Sequence, residues 1–214
     1  MPRHRHAEGY AALVLAGGYI EAGDRGRIAV QAGHVVIHHS FEAHVDHFSP
    51  AGAVVLNLPI FAQSDAFTGI VSDPDAIARL AERDIAAASA MMNETFSPVE
   101  AQLADWPDRL AAALATAPDF LIEDWAASMG LAPQSISRGF RQAYGVSPKR
   151  FRIEQRALRA LRKLASWPGT LAALAAEGGF SDQAHLARAI GELTGVAPSR
   201  LKVKCVQERL RRAR

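Results

Sequence analysis

Two periodicities divide the chain. Between residues 10 and 58, short apolar runs at 10–15, 19–21, 27–30, 34–38, 43–48 and 53–58 are separated by Gly17-Gly18, Gly23-Asp24-Arg25-Gly26, Gly33 and Pro50-Ala51-Gly52. That spacing predicts about six strands joined by hairpins, for which an antiparallel sheet or small barrel is the economical solution. After Pro59 the spacing becomes helical. Ser72-Asp73-Pro74 opens a segment with Ile77, Leu80, Ala81 and Ile85 at helical intervals, and Ser97-Pro98-Val99-Glu100 reads as a capping box with proline at the first helical position. A third short helix is expected from Pro107 to about Thr116. Helices placed there serve as a connector, as a dimer surface or as packing on the sheet.

The last hundred residues contain an internal repeat. Ala126-Ala127 and Gly130 return as Ala175-Ala176 and Gly179; Arg138, Gly145-Val146, Pro148 and Arg150 return as Arg188, Gly195-Val196, Pro198 and Arg200. The offset grows from 49 to 50, so one residue was added in the second turn. Each copy reads as a helix, a glycine turn, an amphipathic helix and a Gly-Val-x-Pro close, which is a helix-turn-helix written twice. In the first copy Asp119 is expected to cap a helix through Met129, and Pro133 to open the second. Ile136, Phe140 and Ala143 form the apolar stripe of that second helix, leaving Gln134, Ser137, Arg138 and Arg141 on the opposite face. Arginine can pair bidentately with guanine and glutamine with adenine, and no acid interrupts the face, so it suits a major groove. The second copy has Leu186, Ile190 and Leu193 inside. Its matching outward positions are Ala184, Ala187, Arg188 and Gly191, a poor base reader suited to anchoring and shape readout. Between the copies, residues 148–165 predict a basic helix with Phe151, Leu158, Leu161 and Leu164 on one stripe and seven cations around it, among them Arg159 as a phosphate contact. A rod of that kind would set two recognition helices about one DNA turn apart, roughly 34 Å.

Charge sharpens this division. The net charge of +2 conceals 7 basic against 14 acidic residues in positions 1–118 and 17 against 8 in 119–214. The carboxyl-terminal part therefore has the electrostatic footprint of a polyanion binder. With 49% hydrophobic and 21% charged residues the chain buries a core, which excludes disorder and collagen-like repeats. The longest apolar stretch, 51–62, is too short to cross a bilayer and contains Asn57 and Pro59. Arg3 and Arg5 before an apolar run superficially copy a signal peptide, but Glu8 and Gly17-Gly18 interrupt it; with a single cysteine, Cys205, the expectation is a cytoplasmic protein. Seven of the eight histidines lie in the first 47 residues.

His4-x-His6, Tyr10, Gly17, Gly33, His39 and His44 have the spacing of the cupin β-barrel signature, and residues 4–58 resemble the cupin-like sensor half of AraC/XylS-type regulators. In metal-binding cupins two histidines, a glutamate and a third histidine hold the ion. The matching positions here are His4, His6, Tyr10 and His44, so a tyrosine stands where the glutamate would be. His4, His6 and His44 could still hold a divalent metal of the zinc or iron class with water completing the shell, and Glu8, Glu42 or His47 are candidates to replace the carboxylate. The open alternative is that imidazoles at a barrel mouth bind an organic ligand or one another. His34, His38 and His39 alternate along or just beyond a strand and are expected to be structural.

Leu174-Ala175, Gly179-Phe180-Ser181-Asp182-Gln183-Ala184-His185-Leu186, Arg188-Ala189 and Gly195-Val196-Ala197-Pro198 are similar to the AraC/XylS family DNA-binding domain over about residues 112–205. The resemblance implies that Gln134, Ser137, Arg138, Gln183, His185 and Arg188 face DNA. Ile190-Gly191-Glu192 and Leu201 depart from the family's aromatic and basic pattern, which weakens the end of the second motif. The expected fold class is α+β: a small antiparallel cupin-like module (1–70), a helical connector (71–117) and an all-α domain with two helix-turn-helix motifs (118–214). The expected function is sequence-specific transcriptional regulation without catalysis. Its expected partners are double-stranded promoter DNA, RNA polymerase and a second copy of the chain, and a membrane is not among them. The alternative, a metal-dependent cupin enzyme with a DNA-binding appendage, is disfavoured by the missing glutamate and the short barrel. Suicide alkyl-transfer repair would need a reactive thiol, and Cys205 has no second cysteine beside it.

Overall fold

The computed structural model describes residues 1–60, 66–100, 104–117 and 120–201. The chain divides into two compact units, Met1–Arg109 with Gln142–Gly145, and Leu110–Arg141 with Val146–Arg214. The fold class is the one the sequence predicts, an antiparallel β unit followed by a helical one.

In the first unit, β1 (His4–Arg5), β2 (Tyr10–Gly23), β3 (Gly26–Gln31), β4 (His34–His38), β5 (Ala43–Pro59), β6 (Thr68–Ile70) and β7 (Ser97–Pro98) form one antiparallel sheet in the order β1-β5-β2-β4-β6-β7, with β3 on β2. β2 is the hub. It pairs with β5 from Tyr10↔Pro59 to Gly23↔His44, with β4 from Tyr10↔His38 to Leu13↔Val35, and with β3 from Gly18↔Gln31 to Gly23↔Gly26. The two runs expected as separate strands around Gly17-Gly18 are one strand, because the glycines make bulges rather than a turn: register shifts fall between Val14 and Ala16 and between Gly17 and Tyr19. Gly17 has φ +69°, and a Cβ there would lie 2.1 Å from the Gly52 carbonyl oxygen, so only glycine fits. Residues 43–48 and 53–58 likewise merge into β5.

Both faces of this sheet are covered, which explains the unbroken apolar runs in β2 and β4. Ala11, Leu13, Val35, Ile37 and Leu58 pack with Ile77, Ala88 and Met92; Ala12, Val14, Tyr19, Ile28, Val30, Val36 and Phe67 pack on the other side. Ile77 belongs to α1 (Pro74–Ala81), and Ala88 and Met92 to α2 (Ile85–Thr95). The single helix expected through Ile85 is broken because Asp84 caps a new one, accepting from the Ala86 and Ala87 amides. These helices share the sheet's core. Ser97-Pro98, expected to open a helix, is instead β7, pairing as Gly69↔Pro98 and Ile70↔Ser97; at an edge the missing proline N–H costs no ladder bond.

The chain leaves the first unit through α3 (Trp106–Thr116). After α3 come α4 (Ile122–Ser128), α5 (Pro133–Tyr144), whose residues through Arg141 belong to the second unit, and then α6 (Pro148–Leu164), α7 (Leu171–Glu177) and α8 (Gln183–Thr194). The repeat is written in the backbone as well. Gly130 and Gly179 both adopt left-handed φ, +63° and +72°. Their amides donate to Ala127 and Ala176 at 3.1 Å in each copy, and the next amides, of Leu131 and Phe180, donate to Ala126 and Ala175 at 3.0 and 2.9 Å. That is the same glycine-ended helix stop made twice, 49 residues apart. The expected Asp119 cap lies outside the described residues. Phe140 of α5 meets Phe151 of α6 edge-on at 5.4 Å between ring centres, and α6 packs against α7 and α8.

Candidate nucleic-acid interface and histidine cluster

On α5, Ile136 and Phe140 are buried, whereas Gln134, Ser137, Arg138 and Arg141 are exposed. The structure therefore places the four residues expected to read bases on one open face. Among the described residues neither Arg138 nor Arg141 has a hydrogen-bond or ion-pair partner, so both guanidiniums keep all their donors for a ligand.

The face of α8 is more constrained. Gln183 and Arg188 are exposed, but His185 is half-buried: its ring lies edge-on to Phe180 at 5.1 Å and its Nδ1 is 3.1 Å from the Ser181 hydroxyl. Asp182 caps the helix by accepting from the His185 amide at 2.7 Å, and these bonds hold its carboxyl below the usual range. Glu192 accepts an ion pair from Arg150. Few free donors remain, as the residue types in the repeat implied.

The cations of α6 are largely committed to the fold. Arg150 bonds Glu154 as well as Glu192; Lys163 pairs with Glu177; Arg152 donates to the Phe120 carbonyl and Arg156 to the Gly179 carbonyl. Arg159, expected to reach phosphate, donates to the Ala115 carbonyl and is partly buried. That bond commits part of the Arg159 guanidinium to the fold. Ala115 is in the last turn of α3 and Gly179 follows α7, so Arg159 and Arg156 satisfy carbonyls that helix ends leave unpaired, where positive charge is also favoured. Lys149 and Arg162 remain exposed on the rod.

The histidines of the first unit converge. His4 and His44 are register partners between β1 and β5, with ring centres 4.2 Å apart; His6 lies 5.1 Å from His4 and 5.8 Å from His44. His4, His6 and His44 thus come together as the sequence suggested. Tyr10 does not replace the glutamate: its hydroxyl is 3.5 Å from His44 Nε2 and its ring stacks on His38 at 4.6 Å. Glu42 accepts the His39 amide at 3.0 Å within its own loop, and Glu8 and His47 are exposed.

Two residues outside the expected set complete the cluster. His38, expected to be structural, is buried with its ring 4.3 Å from His44, and its Nε2 lies 3.5 Å from a carboxylate oxygen of Glu21. Donor atoms of Glu21, His38 and His44 lie within 4.8 Å of one another, as do those of His4, His6 and His44. No local spacing signals Glu21. It sits eleven residues along β2 from Tyr10, a distance of about 36 Å on a straight strand. The bulged and coiled sheet brings both to the same place. Burial and the neighbouring imidazoles push His44 down to about 2 and His38 down to about 3, so both rings are neutral and keep a lone pair at ordinary pH. Burial first, then Asp46 and Glu42, push Glu21 well above the usual carboxylate range. Asp46, the register partner of Glu21 on β5, lies with one oxygen 3.9 Å from His44 Nε2.

Residues 125–203 match the family described as a helix-turn-helix domain. The chain is similar to a probable AraC family transcriptional regulator from Rhodopseudomonas palustris CGA009, with 26% identity, 45% of this chain and 93% of the other covered, and a TM-score of 0.42. It is similar to the DNA-binding domain of the global transcriptional factor AdpA, solved in complex with a target DNA, with 26% identity, 52% and 99% covered, and a TM-score of 0.43. ToxT from Vibrio cholerae is alike over 94% of this chain and 96% of its own, with 9% identity and a TM-score of 0.44. At these TM-scores the three remain likenesses only. No curated protein matches the chain. No described helix is long and apolar enough to cross a membrane.

Proposed function

We propose that this chain, whose residues 125–203 match a helix-turn-helix domain, is a sequence-specific regulator of the AraC type whose α5 reads bases in the major groove of promoter DNA while α8 anchors the second motif. The supporting observation is the α5 face: Gln134, Ser137, Arg138 and Arg141 stand exposed on one side of a helix whose other side is buried, and the two arginines have no partner among the described residues. Bidentate pairing of an arginine with guanine is worth about 1–3 kcal/mol of discrimination, whereas Lys149 and Arg162 on the rod suit phosphate, which carries no sequence information. In this reading the amino-terminal sheet receives a small-molecule or metal signal, RNA polymerase and a second copy of the chain are partners, and no reaction is catalysed.

Selection of genomic duplexes on the purified full chain tests the proposal. A shared sequence should emerge, and Arg138→Ala should narrow the gap in affinity between that sequence and a scrambled one by about 1–3 kcal/mol. Failure of the chain to retain any fragment in low salt would refute it.

A further inference from the structure

The buried group formed by Glu21, His38 and His44 is the feature of the first unit that DNA binding leaves unexplained. Glu21 is 1% exposed, His38 4% and His44 3%. Among the described residues neither carboxylate oxygen of Glu21 has a hydrogen-bond partner, and Nδ1 of His44 has none either. His38 Nε2 lies 3.5 Å from one of the Glu21 oxygens. A carboxylate taken out of water is costly unless it is paired or coordinates a metal ion. Asp46, register partner of Glu21 and itself buried with an Oδ1 that has no partner among the described residues, adds to that cost, because two acids then share one low-dielectric pocket.

We propose that Glu21, His38 and His44 bind one divalent first-row transition-metal ion inside the sheet. Two imidazoles and one carboxylate are a sufficient protein donor set for zinc or iron, leaving open positions on the ion. A four-coordinate ion with bonds of about 2.1 Å needs donors about 3.4 Å apart. The Glu21–His38 separation already meets this, and the 4.8 Å limit on the group as a whole calls for closure of side chains only. An ion there would also offset the negative charge of Glu21 and Asp46 together.

This set differs from the one the residue spacing suggested. It shares His44 with the His4–His6–His44 group and takes its carboxylate from the far end of β2 rather than from the position of Tyr10. His4 and His6 then form an outer pair. His4 Nδ1 donates to the Pro2 carbonyl at 3.0 Å. β1 is held to the sheet by two register pairs, His4↔His44 and Arg5↔Ala43, so His4 lies beside an inner ligand on the neighbouring strand. Ion binding does not depend on the regulator reading; the idea that the ion is the signal received by this unit rests on it.

The full chain, freed of metal by a chelator, is titrated with Co2+ and with Zn2+. One Co2+ per chain should bind with the visible bands of a low-coordinate site, one Zn2+ should displace it, and Zn2+ should raise the unfolding midpoint of the wild-type chain. Glu21→Gln keeps the shape and removes the charge, and should weaken Co2+ binding at least 10-fold, as should His38→Asn. A joint His4→Ala and His6→Ala variant should change it less than about 3-fold. Circular dichroism of each metal-free variant separates lost ligation from lost folding, and X-ray absorption of the zinc-loaded wild type should give a nitrogen and oxygen shell with about two imidazoles. Absence of stoichiometric binding by the wild type overturns the proposal. Loss of binding with the outer pair but not with Glu21→Gln also overturns it, since the ion would then sit on His4, His6 and His44. Duplex binding by the metal-free chain is measured in parallel, and its failure would remove the regulator reading while leaving the ion site standing.

Discussion

The arginines of α5 and those of α6 lie in one helical unit, close in sequence, and have opposite employment. Arg138 and Arg141 point to solvent without partners among the described residues; Arg150, Arg152, Arg156 and Arg159 each donate to a carboxylate or a backbone carbonyl of another segment. The density of positive charge is highest on α6, yet Arg138 and Arg141, which have no partner among the described residues, are on α5. A run of cations therefore marks a polyanion site only where the fold has not already supplied the acceptors. On α6 it has, through carbonyls near the ends of α3 and α7 and through Glu154, Glu177 and Glu192.

The harshest way to break this contrast is to detach the two helices. Phe140→Ala removes a fully buried ring packed on Phe151 and should cost about 3–5 kcal/mol of stability, lowering the thermal midpoint and losing DNA binding with it. Arg138→Ala should leave that midpoint unchanged and cost about 1–3 kcal/mol of binding to the preferred duplex, with little loss on a scrambled one, in gel-shift titrations. Arg159→Ala should do the reverse: about 1 kcal/mol of stability lost with its bond to Ala115, and the salt dependence of DNA binding preserved. If the slope of log affinity against log salt instead fell by about 0.9, Arg159 would be a phosphate contact after all. Smallest of all, Arg188→Ala should lower specific affinity by less than about 1 kcal/mol, because the surrounding α8 face has few free donors to act with it. A larger loss there than for Arg138→Ala would place the reading helix in the second motif.

What the sequence revealed follows from what is local. A helix stop needs a glycine within one turn of its partners, so the doubled Ala-Ala…Gly pattern exposed both motifs, and a helix face repeats every three to four residues, so the α5 face could be assembled from Gln134 to Arg141. The sheet behaves otherwise. His4, His6 and His44 were visible through a spacing resemblance, but Glu21 joins them only because β2 bends at Gly17, and His38 only because β4 pairs with the start of that strand. Neither event leaves a mark at the residue concerned. The same holds for Arg159: whether a guanidinium is free depends on a carbonyl 44 residues away. Ser97-Pro98 misled in a different manner, since a capping box and an edge strand use the same residues and tertiary pairing decided between them.

The central place of β2 also sets an order of assembly. Its neighbours come from as far away as Pro59, so closing that sheet means restraining long loops before any pairing rewards them. The motifs of the helical unit are closed by bonds spanning five residues or fewer. Proteins with such short-range wiring gain their structure faster than those wired over long range. Pulse-labelled amide exchange during refolding should accordingly protect Leu131 and Phe180 before Leu13 and Val14, so that the half synthesised first is the half that matures last.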